Sequence, residues 1–200
     1  MKKKIISLML CTAMTAALVA GCGSSESSEP AAGDSAESTE AEGNSGDNVI
    51  KIGVFEPQTG ENGGGGLQEV YGIRYANQER PTVTVGGKEY TIELVEADNK
   101  SDKTEAVTAA QTLVSAEVVG VLGSYGSGVS IAAGEIFKEA QIPAIGCSCT
   151  NPQVTEGNDY YFRVCFLDPF QGTVLANFAN ENFAAKKAYI LTKLGDDYST

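Results

Sequence analysis

The stretch from Val118 to Asn151 decides the fold: VVGVLGSYGSGVSIAAGEIFKEAQIPAIGCSCTN. Residues 118–122 form an apolar run without alternation, which is typical of a strand buried on both faces. Residues 142–145 begin a second such run. Between them, apolar residues recur at helical spacing: Val129, Ala132, Ala133, Ile136, Phe137 and Ala140. A strand–helix–strand unit of this length predicts a parallel crossover, and therefore an α/β fold built on a parallel sheet.

The two turns at the carboxyl edge of these strands consist of small residues and hydroxyl side chains. Residues 123–128 follow the first strand, and residues 146–150 follow the second. Ligands of open parallel sheets bind beyond the carboxyl ends of the strands, so we expect the functional site there. Ser127 would lie at the start of the helix, where free backbone amides favour an anion. A simple helix-capping role for Ser127 is compatible with that function.

The residues before this unit predict further alternation of strands and helices. Residues 49–55 read as a strand. Residues 60–66 read as a glycine loop that is either mobile or closely approached by another part of the chain or by a ligand. That loop lacks the Gly-Lys-Ser/Thr sequence of a phosphate cradle. A helix over residues 67–78 should bury Leu67, Val70, Tyr71 and either Ile73 or the aliphatic part of Arg74. Residues 82–85 and 88–96, joined by Gly86-Gly87, indicate a hairpin.

The remaining elements follow the same logic. Asp102 and Glu105 form a capping box for a helix that buries Ala106, Ala109, Ala110, Leu113 and Val114. Strands are predicted over residues 160–166 and 188–192. Between them, Asp168 would cap a helix with Pro169 at its first position, running to Asn182. Because the last turn opens a new strand–helix repeat, we expect the chain to be a truncated copy of something longer.

The first 48 residues predict export and anchoring. Residues 1–4 are basic, residues 5–20 are largely apolar, and Val-Ala-Gly-Cys ends the segment at Cys22, which indicates a secretory signal over residues 1–21. The pattern is similar to a bacterial lipoprotein signal, in which Cys22 carries lipid and anchors the protein to the membrane. Residues 22–48 hold seven acids and no aromatic, which is typical of a disordered tether.

Charge and composition narrow the classes of partner. The formal charge of −12 becomes −15 when the three lysines of the signal are removed, which argues against nucleic acid as a partner. The chain has no histidine, and its cysteines lack the spacing of a metal cluster, so no metal site or cofactor is predicted. Cys147 and Cys149 are interpreted as small buried residues lining a pocket. A bridge from Cys165 to one of them remains open.

Five stretches in order resemble the leucine/isoleucine/valine-type substrate-binding proteins of ABC transporters: IGVFEPQTG (52–60), EADNKSDKTEAV (96–107), VLGSYGSGVS (121–130), IPAIGCSCTNP (142–152) and FLDPFQG (166–172). The resemblance implies a type I periplasmic-binding-protein architecture, in which two α/β lobes close over an amino acid. Lobe one would span residues 49–168, and residues 169–200 would begin lobe two.

The same resemblance implies the ligand contacts. Ser127 matches the hydroxyl that holds the ligand carboxylate, and Ser148 and Thr150 match the turn that meets its ammonium and carboxylate. Tyr198 matches an aromatic that closes over the ligand. Thr150 could instead serve a local side-chain turn, and Tyr198 could instead face solvent. Asp168, Glu56 and Asp98 are weaker candidates for acids in the cleft.

The predicted function is therefore capture of a free amino acid, branched-chain or a similar small zwitterion, for import. The partners would be ABC permease and ATPase subunits, and the protein would sit lipid-anchored on the extracytoplasmic face. A ligand sensor of the same fold is the alternative. An enzyme is disfavoured, because the serine of Gly126-Ser127-Gly128 has no histidine base and Ile131 stands where a dinucleotide motif needs glycine or alanine. A serine–lysine pair stays open, although no spacing points to one.

Overall fold

The computed structural model describes residues 48–199 as alternating strands and helices. The predicted signal, the anchor residue Cys22 and nearly all of the predicted tether lie outside these residues. Among the residues described, no helix combines the length and apolar character that a membrane crossing requires.

Six strands form one sheet: β1 (Val49–Glu56), β2 (Thr82–Val85), β3 (Lys88–Asp98), β4 (Gly120–Leu122), β5 (Ala144–Gly146) and β6 (Tyr161–Arg163). Their spatial order is β2-β3-β1-β4-β5-β6. Every neighbouring pair is parallel except the β2–β3 hairpin. The predicted α/β class with a mainly parallel sheet is confirmed, although β4 and β6 are shorter than predicted.

The helices are α1 (Gly63–Glu79), α2 (Lys103–Ser115), α3 (Ser127–Glu139) and α4 (Asp168–Phe183). Successive residues of β1 point to opposite faces of the sheet, which fixes the sides on which the helices pack. Gly53 faces α2, where an added Cβ would lie 3.1 Å from Leu113. Ile52 faces α1 instead, since both line one apolar cavity.

The core lies between the sheet and the face formed by α2 and α3. Phe137 of α3 is completely buried, with its ring 5.5 Å from that of Phe55 and 6.5 Å from that of Tyr161. Of the five residues predicted for the buried face of α2, only Val114 is partly exposed. Helical spacing therefore identified this core correctly.

The prediction of a glycine loop before α1 is wrong in one respect. Gly63 to Gly66 form the first turn of the helix rather than a mobile loop. Two of these glycines are closely approached, as predicted: a Cβ on Gly66 would lie 2.1 Å from the Pro57 carbonyl oxygen, and one on Gly65 would meet the Tyr125 ring. Tyr71, predicted to be buried, is 56% exposed because it faces away from the sheet.

Two further expectations fail near the C-terminal end. Leu167, not Asp168, occupies the N-cap position of α4, and no side chain caps that helix. Residues 188–192 form no strand. A strand requires a neighbour to accept its backbone hydrogen bonds, and no described strand pairs with these residues.

Candidate functional site

A cavity of about 450 Å³ lies at the carboxyl edge of the sheet. The turn after β4 contributes Tyr125, Gly126 and Ser127 to its wall, and the turn after β5 contributes Ser148 and Thr150. Tyr198 completes the wall from the C-terminal segment. The four residues predicted to bind ligand, Ser127, Ser148, Thr150 and Tyr198, are therefore brought together around one space.

Ser127 is the first residue of α3, and its side chain is nearly completely buried. Its hydroxyl oxygen accepts a hydrogen bond of 3.2 Å from the backbone amide of Asn151, which ties the two turns together. The N-cap position belongs to Gly126, so the alternative that Ser127 caps the helix is wrong. The cavity thus borders the amino end of α3, where the helix dipole favours negative charge.

Thr150 carries a buried hydroxyl that has no hydrogen-bond partner. The local turn predicted as its alternative role is made instead by Asn151, whose side chain accepts from the amide of Gln153 at 2.9 Å. A buried polar group without a partner costs free energy. Thr150 therefore lines the cavity with a hydroxyl whose hydrogen-bonding capacity is not used within the protein.

Ser148 lines the cavity, but its hydroxyl is bound to another residue of the protein. Its hydroxyl donates a hydrogen bond of 2.5 Å to a carboxylate oxygen of Glu69 in α1. This contact fixes the turn after β5 against α1. The side-chain hydroxyl is consequently occupied within the protein.

Arg163 at the end of β6 holds the same turn from behind. Its guanidinium donates to the carbonyl oxygens of Cys149 and Asn151 at 2.8 and 2.9 Å. It also donates to the carbonyl oxygen of Pro152 and to the hydroxyl of Thr155. The fixed fork of an arginine can satisfy several acceptors at once, so the loop is held in one conformation.

The wall that carries Tyr198 is fastened to the sheet edge by charged contacts. Lys193 pairs with Glu61 at 2.5 Å, and Lys103 pairs with Asp197 at 2.6 Å. The side-chain amide of Asn151 donates to the carbonyl oxygen of Asp197. Tyr198 itself is half-exposed at the mouth.

Several other wall residues were not predicted from the sequence: Glu61, Asn62, Tyr125, Phe166, Gln171, Lys193 and Asp196. Glu61 and Asn62 were within reach of sequence reasoning, since they follow the carboxyl end of β1. Tyr125 lies in the turn of residues 123–128, where the sequence analysis expected the functional site. Lys193 and Asp196 reach the wall through contacts between distant parts of the chain.

The two acids at strand ends differ from each other. Glu56 is fully buried and accepts a hydrogen bond of 2.6 Å from the Tyr125 amide, so it does not face the cavity. Burial, with the adjacent Glu69, raises the pKa of Glu56 well above its ordinary value of 4.5. Partial burial acts to raise the pKa of Asp98, but hydrogen bonds from Thr59, Lys100 and Gln58 outweigh it and lower the pKa. Asp98 organises the loop after β1.

The three cysteines of the described residues are free thiols, and no bridge joins Cys165 to Cys147 or Cys149. Burial raises the pKa of Cys147 to about 12 and that of Cys149 to about 11. Such thiols are protonated at neutral pH and are weak nucleophiles. Cys149 packs beneath the turn, against Gly146.

A larger cavity, of about 540 Å³, lies between α1 and the sheet. Its wall is mainly apolar and includes Ile52, Ile73 and Leu94. A ligand site combines apolar surface with a few convergent polar groups. The wall of the larger cavity also holds Glu69, Asn77 and Arg80, but all four predicted ligand contacts line the smaller cavity. The smaller cavity is therefore the candidate site.

Sequence comparison identifies relatives for most of the described region. The sequence profile described as "Periplasmic binding protein" matches residues 49–200. An amino acid binding protein of Pseudomonas aeruginosa is 35% identical over 145 residues, which are 71% of this chain and 38% of that protein. A Leu/Ile/Val-binding protein homolog of Brucella abortus is 31% identical over 144 residues. The chain thus spans about two fifths of the length of these relatives.

Solved structures give the same grouping. The leucine-binding protein LivK of Thermotoga maritima superposes with a TM-score of 0.71 at 38% identity, over 76% of this chain and 42% of that one. LivJ of Streptococcus pneumoniae, solved with isoleucine, superposes with a TM-score of 0.69 at 32% identity, over 76% of this chain and 44% of that one. A Rhodopseudomonas palustris solute-binding protein in complex with 4-hydroxybenzoate superposes with a TM-score of 0.65 at 26% identity, over 76% of this chain and 40% of that one. With the profile match over most of its length, this chain belongs to the periplasmic binding protein family.

Proposed function

We propose that this chain captures a free amino acid, branched-chain or a similar small zwitterion, for import by an ABC transporter. Its family is one of binding proteins. The relatives LivK and LivJ carry names of leucine and branched-chain amino acid binding. Residues 49–168 would supply the first lobe and residues 169–200 the beginning of the second.

The unpartnered hydroxyl of Thr150 is the observation that carries the proposal. It is buried in the wall of a 450 Å³ cavity beside Ser127 and the amino end of α3. A carboxylate placed there would accept hydrogen bonds from both hydroxyls and from amides of the helix. The backbone carbonyl of Ser148 would meet the ammonium, and Tyr198 would cover the ligand.

Isothermal titration of the full chain with leucine, isoleucine and valine tests this proposal. The matched comparisons are isocaproate, which is leucine without its ammonium, and isoamylamine, which is leucine without its carboxylate. We expect binding only when both charged groups are present. Binding of 4-hydroxybenzoate instead would favour the aromatic-acid specificity of the Rhodopseudomonas relative. Absence of binding to all of these ligands would overturn the proposal.

Variants of the two hydroxyl residues locate the site. Ser127→Ala and Thr150→Val each remove one charge-assisted hydrogen bond, which corresponds to an affinity loss of about tenfold to 100-fold. Ser115→Ala, at an exposed position at the end of α2, is the control and should bind as the unaltered chain does. Equal affinities for all three variants would place the ligand elsewhere.

The anchoring part of the proposal concerns Cys22. A lipid on this residue would hold the protein on the extracytoplasmic face, within reach of the permease and ATPase subunits. Metabolic labelling with a radioactive fatty acid should mark the unaltered chain and not Cys22→Ala. Equal labelling of both chains would exclude lipidation at this residue.

A further inference from the structure

Three side chains that are not among the proposed ligand contacts lie close together, and two of them, Glu69 and Cys147, line the larger cavity between α1 and the sheet. Glu56 ends β1, Glu69 lies in α1, and Cys147 directly follows β5. One carboxylate oxygen from each glutamate and the sulfur of Cys147 all lie within 4.8 Å of one another. Three different elements thus converge on a space of the size of a single ion.

Both carboxylates are only half satisfied. Glu56 is fully buried; its Oε2 accepts from the Tyr125 amide, whereas its Oε1 has no hydrogen-bond partner. Glu69 repeats this arrangement: Oε1 accepts from Ser148, and the buried Oε2 has no partner. No ion pair among residues 48–199 includes either glutamate.

Two carboxylates in one buried place are costly unless a positive charge or a proton lies between them. A lysine or arginine would be the ordinary solution, but none pairs with them here. Each glutamate therefore keeps one buried oxygen atom without a partner, and a small cation bound between the two carboxylates would offset their charge. The adjacent thiol of Cys147 adds a sulfur donor to this space.

We propose that Glu56, Glu69 and Cys147 form a binding site for one divalent cation of the zinc type. Magnesium and calcium prefer sites made only of oxygen, whereas a thiolate selects zinc and similar softer ions. Zinc accepts carboxylate oxygen together with cysteine sulfur and is usually four-coordinate. Three protein ligands leave the fourth position to a water molecule.

The position of this site gives the ion a structural role. Ser148 and Tyr125 line the cavity, and both also hold the glutamates. The ion would therefore fix the turns after β4 and β5 together with the start of α1. It would not contact the amino acid, so the site is independent of the proposed ligand specificity.

A titration with metal tests this inference without any substitution. The full chain is stripped with a chelator, transferred to metal-free buffer and titrated with ZnCl₂ by calorimetry. We expect one equivalent to bind and the melting temperature to rise, since an ion that binds only the folded state stabilises it. With CdCl₂ we expect an ultraviolet charge-transfer band, which requires a thiolate ligand.

Variants assign the ligands. Cys147→Ser should lose the cadmium band, and Glu56→Gln and Glu69→Gln should weaken zinc binding by at least about tenfold. Cys165→Ser, whose thiol lies outside the cluster, is the matched control and should keep both the band and the affinity. Far-ultraviolet circular dichroism verifies that each variant is folded.

Failure of the stripped, unaltered chain to take up zinc or cadmium would overturn the inference, and a proton shared by the two glutamates would then explain the unpartnered oxygen atoms. Binding that is unchanged in Cys147→Ser and Glu56→Gln would also overturn it, because the ion would lie elsewhere. Neither result would bear on amino acid binding, which is measured separately with the chelated protein.

Discussion

The sheet region and the C-terminal segment both contain large apolar side chains, yet their environments are opposite. Within the sheet region, Phe55, Leu113 and Phe137 are completely buried. In the segment that follows α4, Tyr189, Leu191 and Leu194 are 98%, 98% and 99% exposed. Helix α4 has no buried residue at all.

The contrast shows that burial depends on the neighbouring elements and not on the apolar residues themselves. Residues 49–163 contribute strands that pair with one another and helices that cover them. Residues 188–192 have the composition of a strand but no described strand beside them. Apolar side chains contribute to stability only where another element removes them from water.

The largest expected difference between the two regions comes from deleting an aromatic ring. Phe137→Ala removes a fully buried ring that contacts Phe55 and Tyr161, and should lower the free energy of unfolding by about 3–5 kcal/mol. Phe178→Ala in α4, at a position that is 53% exposed, should change it by less than about 0.5 kcal/mol. Urea denaturation measures both; similar losses would remove the contrast.

Glycine substitutions should give effects of opposite sign in the two regions. Gly123 has a φ of +122°, and a Cβ there would lie 2.0 Å from the Phe55 carbonyl oxygen, so Gly123→Ala should destabilise by more than about 1 kcal/mol. Gly172 lies inside α4 with open space around it. Gly172→Ala should raise stability by up to about 1 kcal/mol. Thermal unfolding distinguishes the two results, and a stable Gly123→Ala would contradict the close approach.

Buried and exposed glutamates should differ in their pH dependence in metal-free protein. The pKa of Glu56 is raised in the folded state, whereas in the unfolded chain it has its ordinary value of 4.5. Above pH 4.5 the folded state therefore keeps a proton that the unfolded chain has released, and this difference contributes to the free energy of unfolding. This contribution is complete below that pH and is lost as the pH rises, by at most about 1.4 kcal/mol per pH unit.

Denaturation with a chelator present, repeated at several pH values, measures this slope. Glu56→Gln cannot ionise and should flatten the slope. Glu181→Gln, an exposed residue of α4, is the control and should leave it unchanged. A steep slope that persists in Glu56→Gln would assign the titration to another group.

The smallest expected difference concerns the helix starts. The Asp102 side chain accepts hydrogen bonds from the amides of Thr104 and Glu105 at 2.8 and 3.0 Å, so Asp102→Ala should cost about 1 kcal/mol. Asp168 makes no such cap on α4, and Asp168→Ala should cost less. Equal losses in chemical denaturation would show that the predicted cap at Asp168 forms in solution.

The sequence was sufficient to predict the structure where the local residue pattern and the neighbouring elements favour the same conformation. The helical spacing of α2 and α3 located the core, and the rule for carboxyl edges placed Ser127 and Thr150 on one cavity. Tyr198 followed only from the family resemblance, since no local signal sets a loop aromatic against that edge.

The sequence was insufficient where distant contacts override local preference. Glycine disfavours helix, yet Gly63 to Gly66 begin α1, where Gly66 packs against Pro57 and Gly65 against Tyr125. Lys193 and Glu61 pair across 132 positions of sequence, and no periodicity reports such a contact. The unpartnered oxygen atoms of Glu56 and Glu69 likewise become visible only when β1 and α1 are in place.

The grip of Arg163 on the turn after β5 bears on how quickly and tightly a ligand is taken up. A loop that must order itself around each arriving molecule loses conformational entropy at that moment, which weakens binding. Here one guanidinium reaches four oxygen atoms of residues 149–155 before any ligand arrives. The loop therefore loses this conformational entropy once, during folding. The position of Thr150 is already fixed when each ligand arrives.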